Sequence, residues 1–319
     1  DFADAHFGLG QCLMQKGEGI LSLSYFTEST KLLRSHRNKE PNHRRFKITS
    51  KAKFDHDIEQ FEYLISQGYE TKKFTELTIL YKKIANTINW PSETKLISLS
   101  DKCQSFLKNN YNHLIYRTEA PRLKKDAINK SLNYDEITSN YFNHEFGLTY
   151  IDNFLSLDAI ESLRNFLLRS TIWFDIKERG YIGAYLKEGL ANPLIIQIAE
   201  ELRNKFPKIF QDHPINQIWA YKYDSRAKNE SSSLRGIKVH ADFAAVNVNF
   251  WITPNESNLN PDSGGLVVYD VEAPKEWDFQ IFNNPNDKTK IREELKKSKG
   301  NIKVIPYKEN RAVLFNSNL

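Results

Sequence analysis

The sequence predicts an α+β fold: a helical N-terminal region followed by a double-sheet, jelly-roll domain with flanking helices. Three observations carry this. Apolar residues recur at helical spacing through the first third of the chain. Short alternating runs joined by Gly, Pro and Asn turns fill the last third. Between them, helix-start signals sit directly against strand-like runs. The boundaries read as a helical arm at 1–120, a polar connector at 121–146 and a sheet domain at 147–319.

The first element is a helical hairpin over 1–34. Leu9, Gly10, Leu13, Phe26 and Leu32 or Leu33 fall at helical spacings around a turn at Lys16–Gly19. Residues 52–68 place Phe54, Ile58, Phe61, Leu64 and Ile65 on one helix face, closed by Gly68 at a position that favours a left-handed backbone. Leu77, Leu80, Tyr81, Ile84 and Ile88 make a second such face over 74–88. A third helix is expected from Ser100, its cap, to Leu114. Asp55, His56 and Asp57 are adjacent, but helix neighbours do not converge on one ion, so they read as surface.

Residues 120–145 are polar and read as connector. Phe146–Leu155 reads as a strand that leads into a helix capped by Ser156, with Ile160, Leu163, Phe166 and Leu167 on its buried face. Asn192-Pro193 opens another helix, Asn as cap and Pro at the first helical position, running to about Phe206. Ile218–Tyr223 alternates as a strand, and a polar loop over 224–235 follows. Gly236–Trp251 reads as strand, and Gly264-Gly265 introduces a further strand, Leu266–Tyr269. Ile302–Tyr307, a turn at Asn310-Arg311 and Ala312–Phe315 complete the sheet.

Composition bounds the function. Hydrophobic residues make up 40% of the chain, which suits a packed core rather than disorder. The net charge of +5 is mild and the signs are mixed, so no nucleic-acid partner is expected. The locally basic stretch Arg34–Lys53 reads as a solvated loop and helix face. Two distant cysteines, Cys12 and Cys103, argue for neither a disulfide framework nor a zinc site and suit a reducing cytoplasm. No run is long and apolar enough for a membrane span.

The chemistry gathers at His240 and Asp242. Two residues apart on a strand, their side chains would point the same way. An imidazole and a carboxylate side by side are two thirds of the two-His, one-carboxylate set that holds non-haem Fe(II) and leaves positions open for substrate and oxygen.

The 1–34 hairpin resembles a tetratricopeptide repeat in which Ser22 and Ser29 stand where alanines are usual and His6 where a tryptophan is usual. One repeat cannot bury its own face, so it is read as the last of an array. The half from residue 147 onward resembles the Fe(II)/2-oxoglutarate-dependent dioxygenases of the prolyl-hydroxylase-like group. The elements that carry the resemblance are Tyr150–Leu155, Tyr221 and Tyr223, His240-x-Asp242, Gly264-Gly265-Leu266 and Asn310–Phe315, in the order of that family. The resemblance implies a double-stranded β-helix in which His240 and Asp242 are catalytic iron ligands. Fe(II), 2-oxoglutarate as co-substrate and O2 are the implied cofactors. Tyr221, Tyr223, Asn247 and Asn249 are candidates for holding 2-oxoglutarate. A tetratricopeptide-type arm implies a protein or peptide partner. No histidine follows Asp242, so the third ligand and the arginine that grips the co-substrate are expected beyond Leu319, and the sequence is read as a fragment. The competing expectation is a catalytically inactive jelly-roll binding module on a helical scaffold.

Overall fold

A computed structural model describes residues 2–35, 44–108, 110–177, 180–223, 239, 240, 242, 244–274, 276, 277, 281, 289–298 and 302–317. The loop expected over 224–235, strand residues Gly236–Lys238, and Ala241 and Phe243 lie outside the described residues, as do Arg37 and Lys39 of the basic stretch. The chain mixes helices with small antiparallel sheets and divides into two compact units. The first comprises 1–121, 165–196 and 217–237; the second comprises 122–164, 197–216 and 238–319.

The first unit opens on α1 (Phe2–Gln15) and α2 (Gly19–Arg34), with the turn at Gly17 in a left-handed conformation, φ 85°. Their close approach has a simple cause: a Cβ on Gly10 would stand 2.7 Å from the Phe26 ring. Ser22 and Ser29 are fully buried beside it. Helices α3 (Lys51–Ser66) and α4 (Thr71–Ala85) follow. The Ser50 side chain accepts the Lys53 N–H at the start of α3, and Gly68 takes φ 79° after its end. Phe54, Phe61, Leu64, Phe74, Leu77, Tyr81 and Ile84 pack into one core with Leu107 and Tyr111.

Helix α5 spans only Asp101–Leu107, shorter than the expected run to Leu114. Ser100 does cap it, accepting the Cys103 N–H. The chain leaves the helix at Lys108, φ 39°, because the next residues are used elsewhere. Tyr111 turns into the core, its hydroxyl donating to the Ile48 carbonyl, and Leu114 N–H donates to Arg34 O.

A three-stranded sheet of β4 (Asp175–Ile176), β5 (Tyr181–Tyr185) and β6 (Trp219–Tyr223) completes the unit. (Strands β1, Ile48–Thr49, and β2, Ile97–Ser98, form a separate small pair.) Ile182 and Ala184 point to the buried side, and Ile176 packs on the helical core.

The basic stretch is not a solvated face throughout. Arg34 and Lys53 are both buried in ion pairs, with Glu188 and Asp57 respectively. Nor is Asp55–Asp57 a surface triplet. Only Asp55 stays half-exposed, paired with Lys51, while His56 and Asp57 are each 7% exposed. Lys222 Nζ lies 2.8 Å from His56 Nδ1. An ammonium has only protons to give, so Nδ1 accepts and the remaining proton sits on Nε2. Burial, followed by the nearby Lys222 and Lys53 charges, pulls the imidazole well below its ordinary value and keeps it neutral.

In the second unit the connector is ordered. Ala127 and Ile128 are buried, and their N–H groups donate to the two oxygens of Glu201 at 3.0 and 2.8 Å. Helix α6 (Tyr134–Asn143) begins at Asn133, whose side chain accepts the Glu136 N–H and donates back to its carboxylate. Ser156 caps α7 (Leu157–Arg169), and Asn192, which belongs to the first unit, caps α8 (Pro193–Lys205), both as expected.

Strands β3 (Leu148–Ile151), β7 (Val246–Phe250) and β10 (Ala312–Asn316) form an antiparallel sheet with β10 in the middle. Strands β8 (Leu266–Tyr269) and β9 (Ile302–Ile305) form a second. The tie between β3 and β10 is polar. Asn310, at φ 57°, both donates to and accepts from the Leu155 backbone at 2.8 Å. Arg311 grips Asp152 through Nε and Nη2 at 2.6 and 3.1 Å. Those hydrogen bonds hold the Asp152 carboxyl below the ordinary carboxylate range.

Gly264 takes φ 84°, and a Cβ on Gly265 would stand 2.2 Å from the Ile305 carbonyl oxygen. Backbone cannot yield as a side-chain tip can. Gly265→Ala should therefore cost about 1–3 kcal/mol, the usual cost of overpacking, read as a lower urea midpoint; an unchanged midpoint would refute the close approach.

Candidate functional site

The sequence places His240 and Asp242 on a strand, but β7 starts only at Val246. The pair precedes the strand, on irregular backbone, and alternation is not what aligns it. The end of β10 holds the segment instead. Asp242 N–H donates to Ser317 O, and Ser317 N–H donates to Ala245 O, each at 3.3 Å. Ala244 N–H donates to the Asp242 carbonyl at 3.0 Å, which tightens the turn into β7.

The two side chains meet all the same. His240 Nε2 lies 3.5 Å from Asp242 Oδ1, with side chains 31% and 27% exposed. The other carboxylate oxygen, Oδ2, accepts from Asn247 Nδ2 at 2.7 Å. One oxygen is thus tied to the sheet and the other is turned to the imidazole. Two donors that share one ion at roughly 2.1 Å stand about 3–4 Å apart, so this pair fits two adjacent positions of a metal site. Among the described residues no group of three or more His, Cys, Asp or Glu side chains could hold a metal ion. His144 Nε2 faces Asp270 Oδ1 at 3.2 Å, a second imidazole–carboxylate pair that sequence spacing could not reveal because its members are 126 positions apart.

The asparagines divide. In the register of the sheet Asn247 lies opposite Phe315, which lies opposite Leu148; Asn249 lies opposite Val313, which lies opposite Tyr150. Directly opposed residues share a face. Leu148, Val313 and Phe315 pack with Val268 and Ile305 of the β8–β9 sheet. Asn247 and Asn249 therefore share the face turned to the second sheet. Asn247 is buried there, and Asn249 is exposed. Val248 and Phe250 take the opposite face, where the Phe250 ring meets Phe154 at 5.5 Å.

Tyr221 and Tyr223 belong to the first unit. On β6 they share a face with Trp219 and, across the register, with Tyr181 and Tyr185 of β5. Tyr223 stacks on Tyr181 at 5.0 Å, and Tyr221 covers Gly183, where a Cβ would stand 2.9 Å from its ring. The Tyr221 and Tyr185 hydroxyls are 3.1 Å apart, and Tyr185 donates to Asp175 Oδ2 at 2.7 Å. Burial, and then the bond to Tyr221, push the Tyr185 hydroxyl far above its ordinary value, so it stays protonated as that donor.

No described helix is long and apolar enough to cross a membrane. Comparison with family models, with curated proteins and with solved structures returns no match to this chain.

Proposed function

We propose that this chain belongs to an Fe(II)- and 2-oxoglutarate-dependent oxygenase that hydroxylates its substrate, with a protein side chain as the substrate class. The observation that carries the reading is the His240–Asp242 contact, with Asn247 fixing the far carboxylate oxygen. The order of the surrounding elements supports it. The Asp152–Arg311 and Leu155–Asn310 ties close β3 on β10, and the strand after Gly264-Gly265 belongs to a second sheet packed on the same face as Asn247. On this reading the two sheets belong to a double-stranded β-helix, and the α1–α2 hairpin is a tetratricopeptide-like unit that offers a surface to a protein or peptide.

His240 and Asp242 would hold the iron, which when bound supplies activation of oxygen coupled to oxidative decarboxylation of 2-oxoglutarate. The chain's own part is to orient: the Asp242 backbone is tied to Ser317. Full-length protein given Fe(II) should release succinate and carbon dioxide from 2-oxoglutarate in an oxygen-dependent manner, and a chelator should stop it. A full-length protein that binds 2-oxoglutarate but never decarboxylates it would replace this reading with that of a binding module, which the two-donor set also accommodates.

A further inference from the structure

We infer that Asn247 is a positioning residue for Asp242, and not a residue that holds the co-substrate. This rests on the metal-site reading of His240 and Asp242 and extends it to the residue behind them.

The argument starts from what a carboxylate does at a metal. It has two oxygens and rotates freely about its last bond, so a single ligating oxygen is set only if something holds the other. Asn247 Nδ2 stands 2.7 Å from Asp242 Oδ2, a short, well-formed bond to a charged acceptor. Oδ1 is then left facing His240 Nε2 at 3.5 Å. The donor is itself fixed. Asn247 lies within β7, paired across to Phe315 of the central strand, and is 8% exposed. Asp242, by contrast, lies on irregular backbone and is 27% exposed. A rigid donor on a strand thus orients a carboxylate on a less regular segment.

The bond also occupies the Asn247 amide. Of its two N–H groups, one is committed to Asp242, and the residue is too enclosed to reach a small acid in solvent without giving that bond up. Asn249 shares the face but is exposed and makes no bond to Asp242.

Co(II) can serve as the probe in full-length protein, with binding read from its visible absorption under anaerobic conditions. Asn247→Ala and the near-isosteric Asn247→Asp should each weaken Co(II) about 10–100-fold, the usual cost of losing an outer hydrogen-bond partner of a ligand. The absorption envelope of the bound ion should change with them. A change in affinity below threefold, alongside loss of binding in Asp242→Ala, would overturn the positioning role while leaving the metal site standing. If the wild-type protein itself fails to take up Co(II), the metal reading falls instead. The contact is then judged in metal-free protein. There the fall in Tm caused by Asn247→Ala should shrink by at least half when Asp242 is already alanine, and equal falls in both backgrounds would overturn the inference.

Discussion

Glu188→Ala should unfold the first unit at markedly lower urea. Arg34 Nη2 and Nε both donate to Glu188 Oε1, at 2.7 and 3.0 Å, and the side chains are 5% and 12% exposed. The guanidinium also lies 4.5 Å from the Phe174 ring centroid and donates to the Asn112 carbonyl. Burial pulls Arg34 below its ordinary value, and Glu188 is the main group opposing that. Removing Glu188 leaves a buried cation with one backbone acceptor and the Phe174 and Phe46 rings. Breaking such a pair from one side costs about 3–5 kcal/mol, whereas replacing both partners with apolar residues is often neutral. Urea unfolding of Glu188→Ala should show that loss, and the double variant Arg34→Met/Glu188→Leu should lose much less. A single-variant loss under about 1 kcal/mol would place the pair in the range of surface ion pairs and refute its burial.

This pair also shows where the sequence stopped being informative. Arg34 and Glu188 are 154 positions apart, and neither sits in a local pattern that marks it as buried. What was legible was local. Gly17 and Gly68 mark two turns, and Ser100, Ser156 and Asn192 mark helix starts. These signals work because the residue and the backbone group it serves are within four positions. Helix α5 ends before the expected Leu114 because Tyr111 and Leu114 are claimed by Ile48 and Arg34, partners too distant to read. Strand β5 is not marked in the sequence for a related reason. Tyr181-Ile182-Gly183-Ala184-Tyr185 alternates, but a central glycine reads as a weak strand until Tyr221 is known to cover it. At the site, spacing singles out His240 and Asp242. The reading rests on a two-residue strand period, whereas neither His240 nor Asp242 lies in a strand and the segment is held by the β10 end and Asn247.

On the proposed oxygenase reading, His240→Ala and Asp242→Ala in full-length protein should each lower 2-oxoglutarate decarboxylation by more than about a hundredfold, beyond the ~10–100-fold typical of an outer hydrogen-bond partner. The fold should tolerate both, since each side chain is roughly a third exposed and neither fills the core formed by Leu148, Val268, Ile305, Val313 and Phe315. Tm should therefore stay within a few degrees, which separates loss of a ligand from loss of structure. Asp242→Glu sharpens the test. It keeps the charge but moves the carboxylate outward by one methylene, away from Asn247 Nδ2, and a displacement of about 1 Å at a reacting centre can cost ~100-fold. Turnover in Asp242→Glu that matches the wild type would mean that neither the position of the carboxylate nor its bond to Asn247 matters. Turnover that survives in both alanine variants would remove His240 and Asp242 from the chemistry altogether. The pair would then be a polar contact at the edge of a sheet, and the face carrying Asn247 and Asn249 would have to be explained by what it binds rather than by what is oxidised there.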